Sequence, residues 1–213
     1  MMRFKDRRHA GEILGASLAR MEPEDPVVYA LPRGGVPVGA EVANALGCPL
    51  DVLVVRKIGV PFQPELAMGA IAERGVIVRN SDVISQAMID EDEFAAAVRQ
   101  ERRELERRVA TYRAGAEPVP ASGRTALIVD DGLATGSTAQ AAVAVLQKMG
   151  AREVWVAVPV APRDTAARLA KTADRVVVVE QPASFGAVGS WYRDFTQTSD
   201  DEVRSLLAGS RLR

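Results

Sequence analysis

Asp130 and Asp131 stand side by side after an apolar run, Leu127-Ile128-Val129. A small-residue stretch follows them, Gly132-Leu133-Ala134-Thr135-Gly136-Ser137-Thr138. Two adjacent carboxylates can hold hydroxyl groups and can stabilise a growing positive charge. If the stretch after them opens a helix, it offers unpaired amides and a positive dipole end, which suit a phosphate. Thr135, Ser137 and Thr138 add hydroxyl donors. Carboxylates repel a phosphate laid directly on them, and a ribose 5-phosphate reconciles the two halves. Its phosphate sits in the 132–138 loop, and its hydroxyls donate to Asp130 and Asp131. A bare Asp-Asp-Gly is an ordinary turn. What argues for a ligand is the whole string running into a periodic helix, with Ala142, Val145, Leu146 and Met149 on one face. Other phosphate loops do not fit. Gly136 precedes Ser137, where a Walker A loop needs lysine, and no Gly-x-Gly-x-x-Gly follows a strand.

A polyanion also needs cations. Leu31-Pro32-Arg33-Gly34-Gly35 closes the apolar run Val27 to Leu31, and Val54-Val55-Arg56-Lys57 closes a second run. Taken alone, the first is equally an ordinary strand-to-helix turn and the second a solvated strand end. The chain as a whole is near neutral, with 27 basic against 28 acidic residues. Positive charge for such a ligand must therefore be local. The same balance argues against a nucleic-acid binder that works by bulk charge.

The string from Leu127 to Thr138 resembles the phosphoribosyl pyrophosphate signature of type I phosphoribosyltransferases: apolar residues, two acids, then a Thr-Gly-x-Thr loop. The likeness extends over residues 26–72 and 124–180, and the whole chain resembles bacterial phosphoribosyltransferase-like proteins of unassigned acceptor. The resemblance implies Mg²⁺-dependent transfer of a 5-phosphoribosyl group from phosphoribosyl pyrophosphate to a nitrogen base, through an oxocarbenium-like state. It implies Asp130 and Asp131 as the catalytic pair and Gly132, Leu133, Ala134, Thr135, Gly136, Ser137 and Thr138 as the 5′-phosphate loop. Arg33, Gly34, Gly35, Arg56 and Lys57 become pyrophosphate contacts, with a cis peptide between Pro32 and Arg33. Mg²⁺ then has no certain side-chain ligand, and Asp130 and Asp131 reach it through ribose hydroxyls or water. Residues 58–67 take the place of the family's mobile loop. A base-binding hood falls to residues 1–20 and 180–199, with Phe185, Trp191 and Tyr192 as base contacts or as simple core under a loop. In 6-oxopurine members the residue four after the first acid is commonly aspartate. Here it is Ala134, which points to a different base. The alternative on the same fold is a regulator that senses phosphoribosyl pyrophosphate.

The elements that must position these residues read as α/β, a mainly parallel sheet of about five strands with flanking helices. We expect a single domain over 1–213, with a helical insertion about 80–118. Strands are expected at Val27–Leu31, Asp51–Arg56, Thr125–Val129, Val154–Val158 and Arg175–Val179. Helices follow at Val36–Leu46, Thr138–Met149 and Asp164–Lys171, after a first helix capped by Asp6. Residues 57–67, with Gly59, Pro61 and Pro64, read as a loop, and Met68–Ala72 with Val76–Arg79 as a hairpin. Residues 90–112 read as one long helix with an apolar stripe of Phe94, Val98, Leu105, Val109 and Tyr112, a candidate homodimer element. Its five arginines between Arg99 and Arg108 read as a solvated face. Residues 114–123 read as a linker. His9 reads as a surface or capping residue, and the single cysteine, Cys48, as packing. With no apolar run of membrane length, no leader at the start and no cysteine pair, a cytoplasmic location is expected.

Overall fold

The computed structural model describes residues 4–113 and 115–210. Residues 1–3 of the expected hood and residue 114 of the expected linker lie outside them. In chain order the elements are α1 (Arg7–Ala19), β1 (Pro26–Ala30), α2 (Gly35–Leu46), β2 (Leu50–Val52), β3 (Val55–Val60) and β4 (Gln63–Ala72). Then come β5 (Ile77–Arg79), α3 (Ser81–Gln86), α4 (Glu91–Arg113), β6 (Thr125–Val129), α5 (Ser137–Lys148), β7 (Glu153–Val160), α6 (Arg163–Leu169), β8 (Arg175–Glu180) and α7 (Asp200–Ser210). The expected α/β class holds, with five parallel strands in the order β2-β1-β6-β7-β8.

The Val-rich strands are covered on both faces, as parallel strands are. Val28 and Ala30 of β1 and Leu127 and Val129 of β6 pack with α1, α2 and α7, while Tyr29, Ala126 and Ile128 face the opposite way onto α5. Two features end the N-terminal helices where the sequence implies. Asp6 accepts the His9 amide at 2.9 Å, with His9 Nδ1 accepting in turn from the Lys5 amide. Gly47 closes α2 at φ 61°, in the left-handed region that glycine enters without cost. Cys48 packs as expected, and burial pushes its thiol up to about 11.

The stretch after β2 departs from expectation. Asp51–Arg56 is not one strand: β2 stops at Val52, and Arg56 and Lys57 belong to β3 in a separate three-stranded sheet of order β3-β4-β5. The expected loop 57–67 is largely strand, β3 and β4 pairing antiparallel with register shifts at Gly59. Gly59 and the prolines therefore mark a bulge and a turn. A Cβ on Gly59 would lie 2.5 Å from the Pro64 carbonyl oxygen, so only glycine lets the strands close there. The expected hairpin of residues 68–79 is present as β4 and β5.

The long helix is as expected in extent, and Glu104 takes the Arg108 guanidinium at 2.7 Å. Its stripe is spent inside the chain, which removes the reason for a dimer element there: Phe94, Val98, Leu105 and Tyr112 are all buried in the core of this one chain. At its end Arg113, itself buried, donates to Asp51 Oδ1 at 2.8 Å and to the Val52 carbonyl at 2.9 Å, and it pairs with Glu73. This ion cluster clamps α4 to β2 and to the foot of the β3–β5 sheet. Among the described residues no helix is long and apolar enough to cross a membrane.

Candidate active site

The ends of β1 and β6 meet in register, with Ala30 opposite Val129. The Leu31 amide extends the ladder by donating to the Val129 carbonyl at 2.9 Å. This pairing delivers two loops to one place at the carboxyl end of the sheet, where ligands of open α/β folds bind. Leu31-Pro32-Arg33-Gly34-Gly35 lies directly against Asp130 and Asp131, and the Pro32–Arg33 peptide is cis, as the resemblance implied. Both glycines are there for space. A Cβ on Gly34 would fall 2.0 Å from Asp131 Oδ2, and one on Gly35 would fall 2.6 Å from the Val129 carbonyl oxygen.

The 132–138 loop is shaped from outside. Gly132 and Gly136 take positive φ, 158° and 71°. The Leu133 amide donates to the Val160 carbonyl at 2.9 Å. Thr165 Oγ1 donates to the Ala134 carbonyl at 2.8 Å, and Arg168 donates to the Thr135 carbonyl at 2.9 Å. These bonds engage the loop with β7 and α6. Gly136 at the cap of α5 has no side chain to accept from the first-turn amides; the Ser137 amide makes a long 3.5 Å bond to Thr135 Oγ1, and this helix N-terminus favours an anion. Thr135 and Ser137 hydroxyls lie 3.1 Å apart at this mouth.

The acid pair is not at an exposed strand end. Both residues are half-buried. Asp131 Oδ2 accepts from Arg7 Nε at 2.8 Å, and its main-chain carbonyl accepts from the Tyr192 hydroxyl. The Asp131 amide donates to Asp130 Oδ1 at 2.8 Å. Burial raises the Asp130 carboxyl well above the usual range, and the neighbouring Asp131 charge adds to this. Burial also raises Asp131, against the opposing pull of Arg7. Two desolvated acids of this kind gain most from hydroxyl donors or positive charge brought by a ligand.

Arg7 is a neighbour of the acid pair that sequence reading missed. Its guanidinium also donates to the Thr196 carbonyl at 2.6 Å and sits 3.9 Å over the Phe195 ring. The expected hood segments do meet: Phe4 bridges Tyr192, and Phe4, Ala10, Trp191 and Tyr192 share one buried cluster. Trp191 and Tyr192 are each 4% exposed, so their rings serve this packing, whereas Phe185 is half-buried.

The cations are brought near but are partnered. Arg33 lies 3.8 Å from Asp200 of α7, and Arg56 Nε donates to Glu101 of α4 at 2.8 Å. Lys57 Nζ donates to Ser137 Oγ at 3.2 Å, so it reaches the 132–138 loop from across the site. A cleft of about 820 Å³ joins Arg56 and Lys57 to Asp130 and Thr138, with Arg33 outside its lining. Leu31, Pro32, Arg56, Lys57, Asp130 and Thr138 form one wall, and Glu93, Gln100, Glu101 and Arg108 of α4 form another. Among the described residues no three His, Cys, Asp or Glu gather to hold a metal. The hard oxygens of Asp130 and Asp131 fit Mg²⁺ of the kind held chiefly by substrate oxygens and water.

Residues 7–193 match the profile of the phosphoribosyl transferase domain. Rv0571c of Mycobacterium tuberculosis H37Rv, provisionally named a phosphoribosyl transferase, is 53% identical over 207 residues, which is 97% of this chain and 47% of that protein. The chain thus spans about half the length of the curated relatives it matches. The crystal structure of TT1426 from Thermus thermophilus is 42% identical and superposes with a TM-score of 0.93, covering 98% of this chain and 99% of that one. AQ2163 from Aquifex aeolicus, at 13% identity and a TM-score of 0.52 over 96% and 86% of the two chains, shares the fold.

Proposed function

The chain belongs to the phosphoribosyl transferase domain family, and on that premise we propose that it moves a 5-phosphoribosyl group from phosphoribosyl pyrophosphate to a nitrogen base with release of diphosphate. The observation that carries this is the meeting of three parts at the ends of β1 and β6: the Asp130–Asp131 pair, the 132–138 loop, and Gly34 packed against Asp131.

In this reading the α5 amides and the Thr135, Ser137 and Thr138 hydroxyls hold the 5′-phosphate, with Lys57 beside Ser137. Such anchoring contributes position rather than chemistry. Asp130 and Asp131 accept hydrogen bonds from the ribose hydroxyls. Arg7 opposes the burial that raises the Asp131 carboxyl and aims it, and the two carboxylates stabilise positive charge growing on the ribose ring. Arg33, the Gly34 and Gly35 amides and Arg56 take the leaving diphosphate. The β3–β4 hairpin, with Phe62 exposed at its tip, is the element that covers the site and keeps water from the ribosyl centre. Asp130 and Asp131 would hold Mg²⁺ through ribose hydroxyls or water, and the ion would supply charge neutralisation on the diphosphate.

Ala134 has no proton to exchange with a base nitrogen, so the acceptor is a base other than a 6-oxopurine. The test is diphosphate release from phosphoribosyl pyrophosphate and Mg²⁺ with adenine, uracil, orotate, hypoxanthine, guanine and xanthine. Release that depends on one base supports the proposal. Tight binding with no release for any base favours the sensing alternative. Efficient use of hypoxanthine or guanine refutes the role given to Ala134.

A further inference from the structure

The α4 helix enters the cleft with a carboxylate where the leaving group's charge is to be neutralised. Glu101 Oε2 accepts from Arg56 Nε at 2.8 Å, and both residues line the same cleft as Asp130 and Thr138. Their side chains are 21% and 31% exposed, so the pair is neither fully solvated nor sealed in the core. The contrast with Glu104 is informative: that acid takes Arg107 and Arg108 within its own helix, whereas Glu101 reaches off the helix to β3. A guanidinium bonded to a carboxylate through one nitrogen keeps donors for one further anion, but two anions on one cation repel each other.

We propose that Glu101 is a positioning counter-ion for diphosphate. It holds Arg56 extended into the cleft before the ligand arrives, and it yields that guanidinium when a diphosphate enters. The inference rests on the reading that Arg56 contacts the leaving group. It places part of the leaving-group site on α4, outside residues 26–72 and 124–180. Its consequence is a gain rather than a loss: with the competing charge removed, diphosphate binds more tightly.

The experiment is calorimetric titration of the full chain with inorganic diphosphate in EDTA, comparing wild type, Glu101→Gln, Glu106→Gln and Arg56→Ala. Glu106 lies on the same helix, lines no part of this cleft, and controls for net charge. Glu101→Gln is expected to tighten diphosphate about fivefold, the equivalent of one half-exposed ion pair. Glu106→Gln is expected to match wild type, and Arg56→Ala to bind more weakly than wild type. A Glu101→Gln protein that binds diphosphate as wild type does, or more weakly, overturns the proposal even if Arg56→Ala is weakened. If Arg56→Ala is unchanged, Arg56 is not a diphosphate contact and the inference falls with that assignment. Where uptake needs Mg²⁺ the four proteins are compared in Mg²⁺ instead, and if the wild type takes up diphosphate under neither condition the functional reading fails along with it. Structural damage from the substitution weakens binding and so cannot imitate the expected gain.

Discussion

Removing the Arg7 charge tests whether the first helix is part of the site or merely near it. In Arg7→Met the stem remains and the guanidinium goes. Arg7 and Asp131 side chains are 12% and 14% exposed and 2.8 Å apart, so this is close to a buried pair, and removing one partner strands the other. Such a break costs about 3–5 kcal/mol; slight residual exposure sets the lower figure, about 3 kcal/mol. For a chain of this size that corresponds to a fall in Tm of about 6–12 °C. The attraction to the Phe195 ring is lost as well. Neutralising the stranded acid should undo much of the damage, so the double variant Arg7→Met/Asp131→Asn recovers about 2 kcal/mol over Arg7→Met alone. The assay is urea unfolding of wild type, both single variants and the double, read as a cycle at constant salt. Arg7→Met should also weaken phosphoribosyl pyrophosphate binding, because Asp131 loses the contact that aims it. A cycle whose coupling is below about 0.5 kcal/mol, the ordinary scatter of independent sites, would falsify the assignment of Arg7 to the acid pair.

Gly34→Ala should leave a folded protein that has lost about 100-fold or more in transfer rate, since its Cβ would lie 2.0 Å from Asp131 Oδ2 and misplacement by an ångström costs that much; a near wild-type rate would contradict the close approach. Asp130→Asn should raise Tm at pH 8. The folded Asp130 carboxyl is raised by burial and by Asp131, so its stabilising protonated form is complete below about pH 4 and is lost as pH rises through the raised value. The gain from asparagine therefore shrinks as pH falls, and a gain that grows toward acid pH would reverse the argument. Arg113→Met strands Asp51, which is 0% exposed, and half-buried Glu73, and should cost about 3–5 kcal/mol in urea unfolding, against under 1 kcal/mol if the cluster is idle.

What the sequence makes legible is what lies close together along the chain. Asp130 to Thr138 are consecutive, so acids, loop and helix start can be read as one device, and β6 and α5 begin within a residue of expectation. The Val-rich runs point to the parallel sheet because burial on both faces leaves no polar alternation. The parts that escape are set by distant pairing. Arg7 meets Asp131 across 124 positions, and nothing in a charged N-terminal stretch marks which arginine will do so. Glu101 reads as part of a solvated face, and only β3 packed opposite gives it a partner in the cleft. Gly59, Pro61 and Pro64 carry ordinary loop signals, but their neighbours find ladder partners across a bulge, and tertiary pairing overrides local propensity there. The apolar stripe of α4 is legible as a buried face, but periodicity does not say whether the covering surface belongs to the same chain.

The most direct test of the central claim is stoichiometry of transfer. With phosphoribosyl pyrophosphate, Mg²⁺ and the accepted base, the wild type should form diphosphate and the base's ribonucleotide one for one. Asp130→Asn/Asp131→Asn, folded by circular dichroism, should form neither above background. Diphosphate and nucleotide formed by the double variant at close to the wild-type rate would contradict the account.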